Sequence, residues 1–250
     1  MQTKQYKRPI ILAIILTMNP IVFMSIAGAA IVITNTDENK SVVLQAIAVT
    51  LSIVTGFILV QVLKCKFHEI GFRSLKKDSI KSVLYFIPFI AIEAVSFIAE
   101  PITSVSRGRV VILLIFTLLV GLNEELYYRG MLMRVLSQLG VKKAIIISSV
   151  LFGLGHAASA LGGYAPQYVV LQILFAFLFG FVSAEFLVIT KSVWPLIIWH
   201  FIHDFIGYLI GDVGETISGI SMISLAVQTV ILLVTALLYW KKAAGMEAVY

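Results

Sequence analysis

The chain has one cysteine, Cys65, which excludes an internal disulfide framework and any multi-cysteine zinc site. Charge is scarce as well. Only 13% of the 250 residues are Asp, Glu, Lys or Arg, against about 25% in soluble domains. No long hydrophilic stretch is left to form a soluble domain. Internal repeats, low-complexity tracts and the inverted half-to-half symmetry of many transporters are all absent. There is no Gly-x-Ser-x-Gly elbow and no His-Glu-x-x-His motif. What is abundant is apolar: 60% of residues are hydrophobic and the mean hydropathy is +1.00. So few polar groups cannot wet the surface of a globule. A soluble protein, a disordered chain and a coiled coil are therefore excluded. The net charge of +6 does not imply nucleic acid, because in a membrane protein the location of charge outweighs its sum.

A helix needs about 20 apolar residues to cross a bilayer core. Eight runs qualify, at Pro9–Ile33, Ser41–Leu63, Ser82–Glu100, Val110–Met133, Ala144–Ala160, Tyr168–Thr190, Val193–Ile210 and Ile220–Trp240. The fifth and seventh are short and carry polar groups. The expected fold is an all-α polytopic membrane protein of about eight transmembrane helices, a single membrane domain over 1–250. With the N-terminus placed in the cytoplasm, sixteen of the nineteen Lys and Arg residues fall on inner loops. Only Lys40, Arg107 and Arg109 fall outside. That bias supports an even number of spans with both termini cytoplasmic, in a plasma (inner) membrane. The compact basic chain without long loops has a bacterial character.

Smaller features add detail. Lys4, Lys7 and Arg8 before the first run, with Ala27-Gly-Ala29 inside it, resemble a signal peptide, but the run continues through Ile33. Asn19-Pro20 predicts a kink in the first span. Lys64–Lys81 is basic with Phe67, Ile70, Phe72 and Leu75 interleaved, which predicts an interfacial segment meeting anionic lipid headgroups.

Ionisable residues inside a membrane are costly and are functional candidates by default. In the fourth run, Glu124 and Glu125 are adjacent, about 100° apart on a helix, so they are expected to address different partners. Glu125 and Arg129 are four apart and share a face, which predicts an ion pair and leaves Glu124 for another task. In the fifth run, Phe152 and His156 are one turn apart. In the seventh, His200 and Asp204 share a face and His203 lies nearby. If the fourth helix ended at Arg129, Glu124 would lie only about 8 Å deep, out of level with both histidines. If it continues to about Gln138, Glu124 lies about 21 Å in and all three groups overlap in depth. Arg129 is then inside the bundle. Carboxylates and imidazoles at one depth can activate water directly as a general base. They can also do so through a divalent metal such as Zn, with Glu124, His156, His200 and Asp204 as candidate ligands. Both fit peptide-bond hydrolysis.

Three motifs stand in order: Glu124-Glu125-Leu-Tyr-Tyr-Arg129-Gly130, Phe152-Gly-Leu-Gly-His156 and His200-Phe-Ile-His-Asp204. Together they resemble the CPBP intramembrane proteases, the CAAX-processing and bacteriocin-processing proteins also called the Abi family. About 100 residues, 110–208, carry the resemblance as a protease core. It implies an eight-span bundle with a polar catalytic cavity and a membrane-associated peptide or protein substrate. By resemblance, Glu124 with His156 activates the attacking water, His200 and Asp204 stabilise the oxyanion, and Glu125 and Arg129 support the site. The family has been described both as metalloproteases and as glutamate-type proteases. The chain departs from many relatives in carrying Asp204 where they have Asn. An ionised Asp cannot donate to an oxyanion, so Asp204 must be protonated, orient His200 or ligate a metal. The competing function classes are a non-enzymatic bacteriocin self-immunity or scaffold protein, which needs no ordered Glu/His/His set, and a proton-coupled transporter, which would emphasise Glu93 and Glu185.

Overall fold

The computed structural model describes residues 5–75, 84–99, 105–158, 165–210 and 219–246. Among them are α1 (Pro9–Thr34), α2 (Glu38–Val62), α3 (Ile87–Ala99), α4 (Arg107–Leu139), α5 (Val141–Gly155), α6 (Pro166–Thr190), α7 (Trp194–Ile210) and α8 (Gly219–Ala244). No strand occurs among the described residues. Each predicted span coincides with one helix. The predicted limits Ser82, Glu100 and Ala160, and the basic residues Lys76, Lys77 and Lys81, lie outside the described residues. Among the described residues, six helices are long and apolar enough to cross a membrane, and Leu84–Ala99 and Trp194–Ile210 are shorter. The chain is thus an all-α polytopic membrane protein. The fifth run, expected to be short, reaches 18 residues as Val141–Ala158.

Helices are the form in which apolar segments can satisfy their backbone groups without water. Their sides are sorted in reverse of a soluble protein. Large apolar side chains such as Ile15, Ile26, Ile58, Ile115 and Leu238 face outward, while Glu125, Arg129, Ser183 and Glu185 are buried. The most enclosed helix is α6, which packs against α5 and α8. On the other side, α4 packs against α2 and α7.

Glycine permits two close approaches. A Cβ on Gly121 of α4 would stand 3.0 Å from Ile197 O and 3.1 Å from Phe201 N on α7. A Cβ on Gly153 of α5 would stand 2.9 Å from Phe177 Cβ on α6. Small residues let backbones pack this closely in membranes.

The ends are tied by polar contacts. At one end, Tyr6 N donates to Gln138 Oε1 at 2.9 Å, and Gln138 Nε2 donates to Tyr6 O at 3.0 Å. The loop after α2 docks on the turn before α7 through Val193 N to Gly71 O at 2.9 Å and Ser192 Oγ to Arg73 O at 2.6 Å. Within that loop Ile70 is buried while Phe67 and Leu75 are exposed, in keeping with an amphipathic segment. At the opposite end, Asp37 caps α2 by accepting from Lys40 N. The Lys40 ammonium beside it holds the Asp37 carboxyl below the usual carboxylate range. Arg109 Nη1 joins the starts of α4 and α2 through Glu38 Oε2 at 2.6 Å.

Pro20 lies inside α1, which runs on to Thr34. Its neighbour Asn19 accepts from Tyr127 Oη at 2.6 Å and from Ser52 Oγ at 3.2 Å. The pair thus marks a three-helix polar knot joining α1, α2 and α4.

Candidate active site

The fourth helix does not end at Arg129. It continues to Leu139, as the depth argument requires, and it changes character where the motif begins. Arg107–Glu124 is α-helical, and Glu125–Leu132 is a π-helix. Its wider i→i+5 hydrogen bonding lowers the rotation per residue, and π segments gather at functional sites. Every residue of this stretch is buried.

Arg129 is 1% exposed and Glu125 0%. Their predicted ion pair is present, with Arg129 Nε 3.3 Å from Glu125 Oε2. The guanidinium also lies 4.3 Å from the centroid of the Phe152 ring, a cation–π contact. Glu125 Oε1 meets His200 Nδ1 at 2.9 Å.

Adjacent carboxylates were expected to need different partners, yet Glu124 and Glu125 both address His200. The imidazole has nitrogens on two edges, so a single ring bridges the angle between neighbouring side chains. Nδ1 serves Glu125, while Nε2 stands 3.5 Å from Glu124 Oε2. Asp204 Oδ2 lies 3.7 Å from the same Nε2, as the i, i+4 spacing predicts. Three carboxylates thus surround one buried imidazole. The ring is further fixed by Phe179 at 4.9 Å and Phe152 at 6.2 Å between centroids.

His156 ends α5 and closes its last turn. Its Nδ1 lies 3.0 Å from Phe152 O, and the two rings meet edge to face at 4.8 Å. A carbonyl only accepts, so Nδ1 carries the proton in this contact. The Phe-x-x-x-His spacing therefore sets a ring orientation as well as a position.

Glu124 and His156 line one cavity of about 660 Å³ between α1, α4 and α5. Its walls are mostly apolar and include Ile21, Met24, Val32, Val49 and Val120. Ser25, Asn123 and Tyr128 add polar groups. The Glu124 side chain is 23% exposed, in contrast to its neighbour. The six predicted site residues therefore divide in two. Glu124 and His156 face the cavity, and Glu125, Arg129, His200 and Asp204 form the network against Glu124.

Two residues left without a role by the sequence join a second polar node. Glu93 Oε1 on α3 accepts from Trp199 Nε1 at 3.0 Å and meets His203 Nδ1 at 3.1 Å. Phe89 stacks on Trp199 at 3.7 Å. Glu93 thereby ties α3 to the helix that carries His200 and Asp204. Glu185 stands apart on α6, fully buried, with neither carboxyl oxygen hydrogen-bonded among the described residues.

Among the described residues, no three His, Cys, Asp or Glu side chains form a preformed ligand set for a metal ion. His156 engages its own helix through Nδ1, and His200 engages Glu125 through Nδ1. Both contacts use Nδ1, and a histidine that holds a metal through one ring nitrogen commonly engages a carbonyl or carboxylate with the other.

Residues 106–206 match the family model of type II CAAX prenyl endopeptidase Rce1-like proteins. All three motifs fall inside that segment, and the resemblance to the CPBP proteases is borne out over it. No curated protein matches the chain.

Proposed function

We propose that this chain is an intramembrane endopeptidase of the CAAX-processing kind. It hydrolyses a peptide bond in a membrane-associated peptide or protein with water activated by Glu124 and His156. The observation that carries this reading is their shared cavity, backed by the match over residues 106–206.

Glu124 is the general base. Its neighbour Glu125 is committed to Arg129 and His200, which leaves Glu124 as the carboxylate open to the cavity. His156 presents the lone pair of Nε2 and orients the same water. Glu124 takes a proton as the water oxygen adds to the scissile carbonyl carbon. It returns the proton to the departing nitrogen as the C–N bond breaks. His200 holds Glu124 in place, and Asp204 orients His200 from the Nε2 side rather than donating to an oxyanion. The apolar walls suit a substrate with an aliphatic side chain or lipid near the cleaved bond. The matched family's description names prenyl endopeptidases, and a bacteriocin-like membrane peptide has the same apolar character. The excess of basic residues on the inner loops read from the sequence favours cytoplasmic termini in a bacterial inner membrane, with lipid headgroups meeting the basic loop.

The test compares new peptide N-termini in native membranes from cells carrying the wild type or Glu124→Gln at matched expression. Termini that depend on Glu124 are expected, and they identify the cleaved junction. An identical set in both would favour a non-enzymatic immunity or scaffold role.

A further inference from the structure

The residue before the general base belongs to none of the three motifs, yet it lies in the site. Asn123 is 2% exposed and lines the cavity together with Glu124 and His156. Its Oδ1 is buried without a hydrogen-bond partner among the described residues. Buried amides are almost always hydrogen-bonded, and an exception calls for an explanation. Packing does not supply one, since the neighbouring cavity position Val120 is apolar. With Oδ1 enclosed, the amide is left its Nδ2 side for the cavity it lines, and a peptide C=O entering there gives that N–H a partner.

Hydrolysis places negative charge on the scissile carbonyl oxygen, and a neutral donor there is worth more than an acceptor. Asp204, as a carboxylate, only accepts. His200 has one nitrogen on Glu125 and the other between Glu124 and Asp204. Neither His200 nor Asp204 is among the described residues lining the cavity. Asn123 is on the cavity wall, one residue from the base. Successive helical side chains lie about 100° apart, so they can flank one bound group.

We propose that Asn123 is a catalytic residue whose Nδ2 donates to the scissile carbonyl oxygen. The assignment rests on the hydrolytic reading above. As water adds to the carbonyl carbon and its proton passes to Glu124, the π electron pair moves onto oxygen, and Asn123 Nδ2–H meets the oxyanion. Collapse restores C=O and expels the nitrogen, which takes the proton from Glu124.

The experiment uses the full chain in lipid vesicles and a synthetic peptide spanning the junction identified in native membranes. Asn123→Ala and the nearly isosteric Asn123→Asp are compared with Tyr128→Phe, which removes a hydroxyl from the same cavity. Loss of an oxyanion donor lowers kcat by about 10²–10³-fold. Both Asn123 variants are expected to show that loss, with KM and melting temperature near the wild type, and with weaker binding of a phosphonamidate copy of the scissile bond. Tyr128→Phe is expected to lower kcat less than either Asn123 variant. The assignment is overturned if either folded Asn123 variant keeps kcat near the wild type. It is also overturned if the change is in KM alone, or if Tyr128→Phe carries the loss instead. A wild type inactive on this peptide overturns the hydrolytic reading as well, which separates the two failures.

Discussion

Glu125 holds His200 by Nδ1 at 2.9 Å, on the side of the ring away from Glu124. That division of one imidazole between two adjacent carboxylates gives the two glutamates different duties. Glu125 is locked at the centre of a buried chain from Arg129 to His200, while Glu124 keeps an edge toward the cavity.

The first prediction separates those duties. Glu125→Ala removes the carboxylate opposite a buried guanidinium, and breaking such a pair costs about 3–5 kcal/mol. Denaturation in detergent should show a large loss of stability for Glu125→Ala and little for Glu124→Gln. Equal stability of the two variants would contradict a structural role for Glu125.

Asp204 supplies the second. If it orients His200 rather than feeding a metal or an oxyanion, an amide of the same shape can replace it. Asp204→Asn should keep hydrolysis within about tenfold of the wild type, the scale of a typical net polar contact of about 1 kcal/mol. Complete loss of activity, together with loss of a bound metal, would contradict the metal-free mechanism.

Chelation tests the same point without mutation. EDTA and 1,10-phenanthroline should leave the hydrolysis rate of the reconstituted protein within about twofold, because the proton transfers above need only side chains. Inhibition reversed by added Zn would contradict that expectation.

Much of this was legible in the sequence. The eight helices follow from apolar run length, and the site from ionisable residues that a membrane does not tolerate idly. The Glu125–Arg129 and His200–Asp204 pairs follow from four-residue spacing. The π-helix at Glu125–Leu132 was not legible, because its residues read equally well as α-helix. Nor was the double contact of His200, since a helical wheel places side chains by angle and ignores the width of an imidazole. The partners of Glu93 were hidden for another reason. Trp199 and His203 are more than a hundred residues away and meet it only through packing of α3 on α7. Asn123 did carry a signal, as a polar residue in an apolar span, but the carboxylates beside it masked it.

A fourth prediction concerns glycines of opposite character. Gly28 on α1 lines the cavity, and a Cβ there meets nothing within 4 Å. Gly28→Leu should leave melting temperature unchanged and raise KM for a bulky substrate by occupying the cavity. Gly121→Ala forces a Cβ within 3.0 Å of Ile197 O and pushes α4 from α7. It should lower both stability and kcat. Indifference of KM to Gly28→Leu would show that the substrate enters elsewhere.

The central claim is that Glu124 deprotonates the attacking water, and its most direct test is one rate. The full chain in lipid vesicles is given a peptide spanning the junction found in native membranes, and kcat is measured for the wild type and Glu124→Gln. A general base contributes about 10²–10⁴-fold. A fall in that range, with the variant folded and KM little changed, is the predicted result. A Glu124→Gln protein that cleaves within tenfold of the wild type would contradict it.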